Sequence, residues 1–229
     1  MTKSPILYST LHFIGNKSVE LVVATFNRDI SWLGQINPVV IKTIYNKNNL
    51  IENGIIMPNI GRDVHTFFSH LYNRYDSLSD ITFFVQDYPF DHFGSLIETV
   101  NENKWEENAK TKFDGYYGFH DNTLGTSWDM PQGKQFDGKN LTCFSNGLPQ
   151  HENSGFDVNV YWNELFDQTC PVEYEFMPGG HFAITKDCIR KRPREFYKKI
   201  TDLLERDNIS PWCIERLEFY IFSIKYKIK

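Results

Sequence analysis

The sequence predicts one α/β domain spanning residues 1–229, with a mixed, mostly parallel sheet flanked by helices. Three observations predict it. Nearly continuous apolar, β-branched runs of strand length recur, and a run without strict alternation marks a strand covered on both faces, as in a parallel sheet. A helix-period segment, Asp63–Tyr75, lies between two such runs, which gives strand–helix–strand order and a right-handed crossover. The composition, 41% hydrophobic and 16% aromatic over 229 residues, supports a sizeable core and argues against disorder.

In chain order, MTKSPILYSTLHFIG lacks the long apolar stretch and small-residue cleavage site of a secretory leader and reads as an edge strand. Val19–Phe26 is the first buried strand, closed by the polar turn Asn27-Arg28-Asp29, and Ile30–Leu33 starts a short helix or turn. Val39–Tyr45 is the second strand, broken by Asn46-Lys47-Asn48-Asn49, and Ile55–Met57 is the third, stopped by Pro58. Within Asp63–Tyr75, the residues Val64, Phe67, Phe68, Leu71 and Tyr75 fall on one helix face, and Asp63 suits the positive end of the helix dipole. Ile81–Val85 is the next buried strand. Residues 113–156, rich in Gly, Asn, Asp and aromatics, show little periodicity and read as one long loop of the functional kind. Pro178-Gly179-Gly180 leads into a short strand ending at Ile184. Asp187–Leu204 reads as helix interrupted at Pro193, and Trp212–Ile224 as a closing amphipathic helix.

Composition also bounds function. A net charge of −5 argues against a broad nucleic-acid surface. No run approaches the ~18 apolar residues of a membrane helix, so no membrane span is expected. The four cysteines, Cys143, Cys170, Cys188 and Cys213, form no CxxC pair; they predict reduced, buried thiols in a cytoplasmic protein and no zinc knuckle. The chain has no P-loop, no GxGxxG and no GxSxG, and His65 and His70 are five apart rather than the four of HExxH.

Four constellations remain. Asn59-Ile60-Gly61-Arg62-Asp63 sits at a strand-to-helix junction, where helix amides and Arg62 would meet a diphosphate and Gly61 would let backbone approach a ligand; it reads equally as a capped turn with a surface arginine. Gln86-Asp87-Tyr88-Pro89-Phe90-Asp91-His92 delivers two carboxylates and an imidazole to a strand end, a donor set for a hard divalent cation or a Pro-containing turn. Gly179-Gly180-His181 permits close approach to a ligand, with His181 a metal ligand, a sugar-hydroxyl partner or a structural residue. Glu215, beside Trp212 near a helix start, is a candidate general base or a solvated first-turn carboxylate.

Taken in order, these segments resemble an uncharacterised family whose members carry N-[IV]-G-R-[DE]-x-H-T-[FY], a strand ending F-[LV]-Q, R-P-R-E-F-Y (here Arg192–Tyr197) and P-W-x-x-E-R-L (here Pro211–Leu217). More distantly, the order is similar to GT-A-fold glycosyltransferases and to rhamnan-synthesis proteins with their N-x-G-R-D segment. The resemblance implies a GT-A-like, Rossmann-like domain that transfers a hexosyl or deoxyhexosyl group from a nucleotide sugar, UDP-sugar favoured, to a hydroxyl of a glycan or glycoprotein acceptor, with Mn²⁺ or Mg²⁺. Carried over by residue, it places Ala24, Thr25 and Asn27 on the nucleoside, Arg62, Asp63 and Gln86 on the donor, and Gly180 near its sugar. Asp87 would take the metal position, with Asp91, His92 and His181 as helpers, and Glu215 or Asp157 would be the base. The family's usual Asp-x-Asp is here Gln86-Asp87-Tyr88-Pro89. A non-catalytic nucleotide-sugar or carbohydrate-binding module of the same fold is the alternative.

Overall fold

The computed structural model of the chain describes residues 17–48, 54–119, 134–135, 158–171, 174–176 and 179–229. The expected N-terminal edge strand and Asp157 lie outside the described residues. Val19–Thr25 forms β1, buried along its whole length as its valines and leucine require. β2 (Ile41–Asn46) and the short β3 (Ile55–Ile56) lie on one side of β1, and β4 (Ile81–Gln86) on the other, all parallel. β5 (Thr111–Phe113) and β6 (Tyr116–Phe119) form a hairpin; β7 (Lys134–Gln135) and β8 (Tyr174–Glu175) pair separately. β9 (His181–Thr185) completes the main sheet, whose seven strands run in the order β3-β2-β1-β4-β9-β6-β5. β9 is antiparallel to both β4 and β6, so the sheet is mixed, parallel through β3-β2-β1-β4 and antiparallel beyond.

Both faces are covered, which is why β1 and β4 are mostly apolar, with Glu20, Thr25, Thr82 and Gln86 as their polar residues. On one face Val22, Ala24, Phe84 and Phe182 pack beneath α1 (Arg62–Asn73), α4 (Val158–Leu165), α6 (Arg194–Leu204) and α7 (Ser210–Phe222) through Phe67, Trp162, Tyr197 and Leu217. On the other, Leu21, Val23, Phe83 and Val85 meet Trp32 and Leu33 of a 3-10 turn, Leu96 of α2 (Leu96–Asn101) and Trp105 of α3 (Trp105–Asn108). Burying one such phenylalanine stabilises the fold by about 1.5–3 kcal/mol. α5 (Lys186–Arg190) follows β9, capped by Thr185, whose hydroxyl accepts from the Cys188 amide at 3.2 Å. Pro193 then breaks the helix before α6, as expected.

The departures have local causes. β2 begins at Ile41, because Val39 and Val40 belong to the preceding turn. α1 ends at Asn73, and Tyr75 falls in a 3-10 turn from which its hydroxyl donates to the Arg192 carbonyl at 2.6 Å. The front of the expected long loop is the β5–β6 hairpin, turning on Asp114 (φ 47°) and Gly115 (φ 93°). Strands of three and four residues are too short to show periodicity, but Asp-Gly between apolar residues is itself a hairpin signal. Cys170, Cys188 and Cys213 are buried. Among the described residues no helix is long and apolar enough to cross a membrane.

One feature of this topology positions the site. The chain leaves β1 for β2 and β3 on one side, and α1 carries it back to β4 on the other. The direction of winding reverses between the carboxyl ends of β1 and β4, the place where open α/β sheets bind their ligands.

Candidate functional site

Asp87 stands at that reversal. It is buried, and its Oδ2 accepts hydrogen bonds from the amides of Phe26, Asn27 and Arg28 at 2.9, 3.2 and 3.1 Å. Its carbonyl accepts from the Trp32 indole at 2.8 Å. Asp87 therefore staples the loop after β1 to the end of β4. Beside it the Thr25 hydroxyl is buried without a hydrogen-bond partner, while the side chains of Phe26 and Asn27 are exposed.

The junction before α1 forms a second wall. Gly61 is left-handed (φ 58°), and a Cβ there would stand 2.5 Å from the His65 Cβ and 2.9 Å from the Leu204 carbonyl. Arg62 is left-handed too (φ 53°), a conformation that costs a side-chain-bearing residue roughly 1–2 kcal/mol and persists only where surroundings impose it. Its guanidinium lies over the Trp212 ring, 4.2 Å from the centroid. Beneath this turn Lys47 is buried and donates to the Ile60 carbonyl at 2.6 Å and to the Arg62 carbonyl. Burial lowers its pKa to about 8, with Asp63 opposing and Arg62 reinforcing. His65, at the back of the turn, pairs with Glu205 at 3.1 Å.

The start of β9 and the first turns of α7 form the third wall. The Gly179 amide donates to Glu215 Oε1 at 2.9 Å. A Cβ on Gly179 would stand 3.1 Å from His92, whereas one on Gly180 would meet only the Glu215 Cγ, at 4.0 Å. Gly180 is buried, and among the described residues a methyl there would touch Glu215 without a clash. His181 is buried, with Nε2 3.2 Å from the Gln86 amide nitrogen and its ring 6.0 Å from that of His92. Burial holds His92 below its ordinary pKa against the pull of Asp91 and Asp63. Glu215 is half-buried. Its carboxyl is raised by burial; Arg216 opposes this and Asp63 adds to it. One turn deeper, Glu218 is 1% exposed and accepts from the Tyr116 hydroxyl at 3.2 Å, while its Oε1 has no hydrogen-bond partner. Burial, then Glu215, drives Glu218 well above the carboxylate range. Two carboxyls this close in an apolar setting do not both ionise readily; Glu215, with the Gly179 amide and two nearby arginines, is the one that carries the charge.

The sequence-predicted residues thus gather at one edge of the sheet. Arg62, Asp63, Glu215, Gly180, His92, His181 and Gln86 line one region, and Asp63 acts electrostatically on Lys47, His92, Glu215 and Glu218. Ala24, Thr25 and Asp87 sit next to it at the end of β1 and β4, and Asp91 is exposed. Among the described residues no group of three or more His, Cys, Asp or Glu is placed to hold a metal ion. Lys47, Glu218 and Tyr116 were not singled out by the sequence; a buried charge has no signature there.

Residues 21–228 match the family described as protein of unknown function (DUF3431). The chain belongs to this family. No curated protein and no solved structure is significantly similar to it. The DUF3431 match takes in every wall of the site, from Thr25 at the end of β1 to Glu218 on α7.

Proposed function

We propose that the chain is a GT-A-like glycosyltransferase that moves a sugar from a nucleoside-diphosphate sugar, UDP-sugar favoured, to a hydroxyl of a glycan or glycoprotein acceptor. The observation that carries this reading is the meeting of a cation and a carboxylate at the switch-point edge: Arg62 stacked over Trp212, and Glu215 beside Gly180, close enough for the Arg62 charge to act on its carboxyl. Ala24, Thr25 and Asn27 border the nucleoside position at the end of β1. Arg62 pairs with the diphosphate, and Gln86 and Asp63 lie toward the donor sugar. The acceptor oxygen bonds to the anomeric carbon as the carbon–phosphate oxygen bond breaks; the hydroxyl proton passes to Glu215, and the diphosphate leaves with the electron pair. Arg62 stabilises the charge that develops on it.

The donor set suits a hard divalent ion only in a limited sense. The three amides engage Oδ2 of Asp87, which makes Oδ1 the oxygen for an ion, and Mg²⁺-type ions held by one or two carboxylates take their other oxygens from the substrate's phosphates. A protein-only cage is not what these residues offer. When bound, Mn²⁺ or Mg²⁺ would neutralise diphosphate charge; Asp87 would hold it, with Asp91, His92 and His181 nearby.

Calorimetry with UDP-glucose and GDP-mannose in the presence of Mn²⁺ tests the reading, which predicts binding of at least one; no binding of any nucleotide sugar would refute it. The engagement of Asp87 by three backbone amides favours a second reading, a donor-binding module without turnover. Asp87→Asn separates the two, because asparagine retains an oxygen for the amides. In an enzyme it abolishes metal-dependent transfer; in a binding module it leaves donor affinity unchanged and there is no transfer to lose.

A further inference from the structure

The turn that carries Arg62 is held from below by one buried cation. Lys47 directly follows β2, and its amide donates to the Thr25 carbonyl at 2.9 Å, which fixes its backbone to the end of β1. Its side chain is 8% exposed. Its ammonium donates to the carbonyls of Ile60 and Arg62, the residues on either side of Gly61. Gly61 and Arg62 are consecutive left-handed residues, and a non-glycine residue stays in that region only when its surroundings over-determine it. Trp212 supports the far end of Arg62, and Lys47 ties its near end.

We propose that Lys47 is the positioning residue that sets Arg62 for the donor diphosphate, by tying together the two carbonyls that flank Gly61. The inference rests on the reading of Arg62 as a phosphate-binding group. It assigns Lys47 no contact with the ligand.

The groups that face Lys47 are known. Asp63, Arg62 and His65 approach from α1, and the Thr25 carbonyl from β1. Burial first, and Arg62 second, bring Lys47 to about 8 against Asp63. Its ammonium therefore becomes an amine as pH rises through about 8, and neutral hydrogen bonds are roughly half as strong as charge-assisted ones. Because the folded chain binds this proton less tightly than the unfolded chain, Lys47 does not lower global stability between pH 8 and its ordinary value near 10.5. The pH response is confined to the turn.

Trp212 reports the posture of Arg62 without any ligand. The chain has five tryptophans, so its contribution is taken as the wild-type emission minus that of Trp212→Phe. This difference should shift with a midpoint near pH 8. Lys47→Met, shown folded by circular dichroism, should give the high-pH signal at every pH and bind UDP-glucose with Mn²⁺ about 10-fold more weakly at pH 7. Lys47→Arg, which stays charged, should remove the midpoint and keep the low-pH signal. A folded Lys47→Met with wild-type Trp212 emission and wild-type affinity overturns the proposal, as does a wild-type difference signal that is flat from pH 7 to 9.5. A shifting signal in a protein that binds no nucleotide sugar supports the tie and refutes the donor reading instead.

Discussion

Replacing Gly61 by alanine tests the geometry of the Arg62 corner most directly. Two terms act. The backbone is at φ 58°, where a Cβ costs roughly 1–2 kcal/mol. The new methyl would also lie 2.5 Å from the His65 Cβ and 2.9 Å from the Leu204 carbonyl, closer than real contacts allow, and forced repacking of this kind costs about 1–3 kcal/mol. The sum is roughly 2–5 kcal/mol, a fall in Tm of about 4–20 °C for a chain of this size. Thermal unfolding followed by circular dichroism measures it, with two other glycines as internal references. Gly180 shares the left-handed backbone (φ 61°), but among the described residues its Cβ would meet only the Glu215 Cγ, at 4.0 Å, so Gly180→Ala should cost only the backbone term, about 1–2 kcal/mol. Gly34 meets nothing within 4 Å and has an ordinary φ, so Gly34→Ala should stay within about 0.5 kcal/mol of wild type. If Gly61→Ala proved as stable as Gly34→Ala, the described packing of α1 against the end of α6 would be wrong.

Three further outcomes are expected. Arg62→Ala should weaken UDP-sugar binding by calorimetry about 10–100-fold, since it removes a charge-assisted pair with the diphosphate, and Arg62→Lys should restore only part of it because a point charge does not stack on Trp212. Glu215→Gln should lower kcat about 10²–10⁴-fold with donor affinity unchanged, and wild-type activity should switch on only above the ordinary carboxylate range, because the base form of Glu215 appears as pH rises through its raised pKa. Burial holds His70 at about 4 against the pull of Glu20, while an unfolded histidine titrates near 6.5. The unfolded chain thus takes up the proton first: the contribution is intact above about 6.5 and declines as pH falls toward 4, by up to about 3 kcal/mol. Urea unfolding at pH 7.5, 5.5 and 4.5 should show a slope that His70→Gln flattens.

The strands β1 and β4 and the helices α1 and α7 were legible because their apolar residues have nowhere else to go: one continuous run or one helix face specifies each of them. The antiparallel insertion of β9 beside β4 was not, since strand direction depends on partners far away in sequence. The β5–β6 hairpin was legible in Asp114-Gly115 and was masked by the surrounding polar and aromatic composition. α2 and α3, six and four residues long, are too short for a helical period to stand out. In the site, glycine and charge singled out Gly61, Arg62, Gly180 and Glu215, which the fold brings to one edge of the sheet. Lys47 was hidden within Asn46-Lys47-Asn48-Asn49, which reads as a solvated break; only the fold reveals that its ammonium is turned inward onto two carbonyls. Glu218 was hidden likewise, because Glu215 and Glu218 look alike in sequence and differ only in depth along α7.

Asp87 shows how the fold reassigns a residue without moving it. Three consecutive amides at the end of β1 make an anion-binding nest at the switch point, the position where a ligand phosphate would be sought first. The chain fills that nest with its own carboxylate. An incoming diphosphate would meet the negative charge of Asp87 there rather than free amides, so its charge has to be met elsewhere. An exposed cation held in place for the purpose is Arg62, stacked on Trp212 and tied from beneath by Lys47. The carboxylate that the sequence offered as the centre of the site thus acts first as the clasp that closes the loop after β1, and under the proposed function the phosphate would be met at the α1 corner.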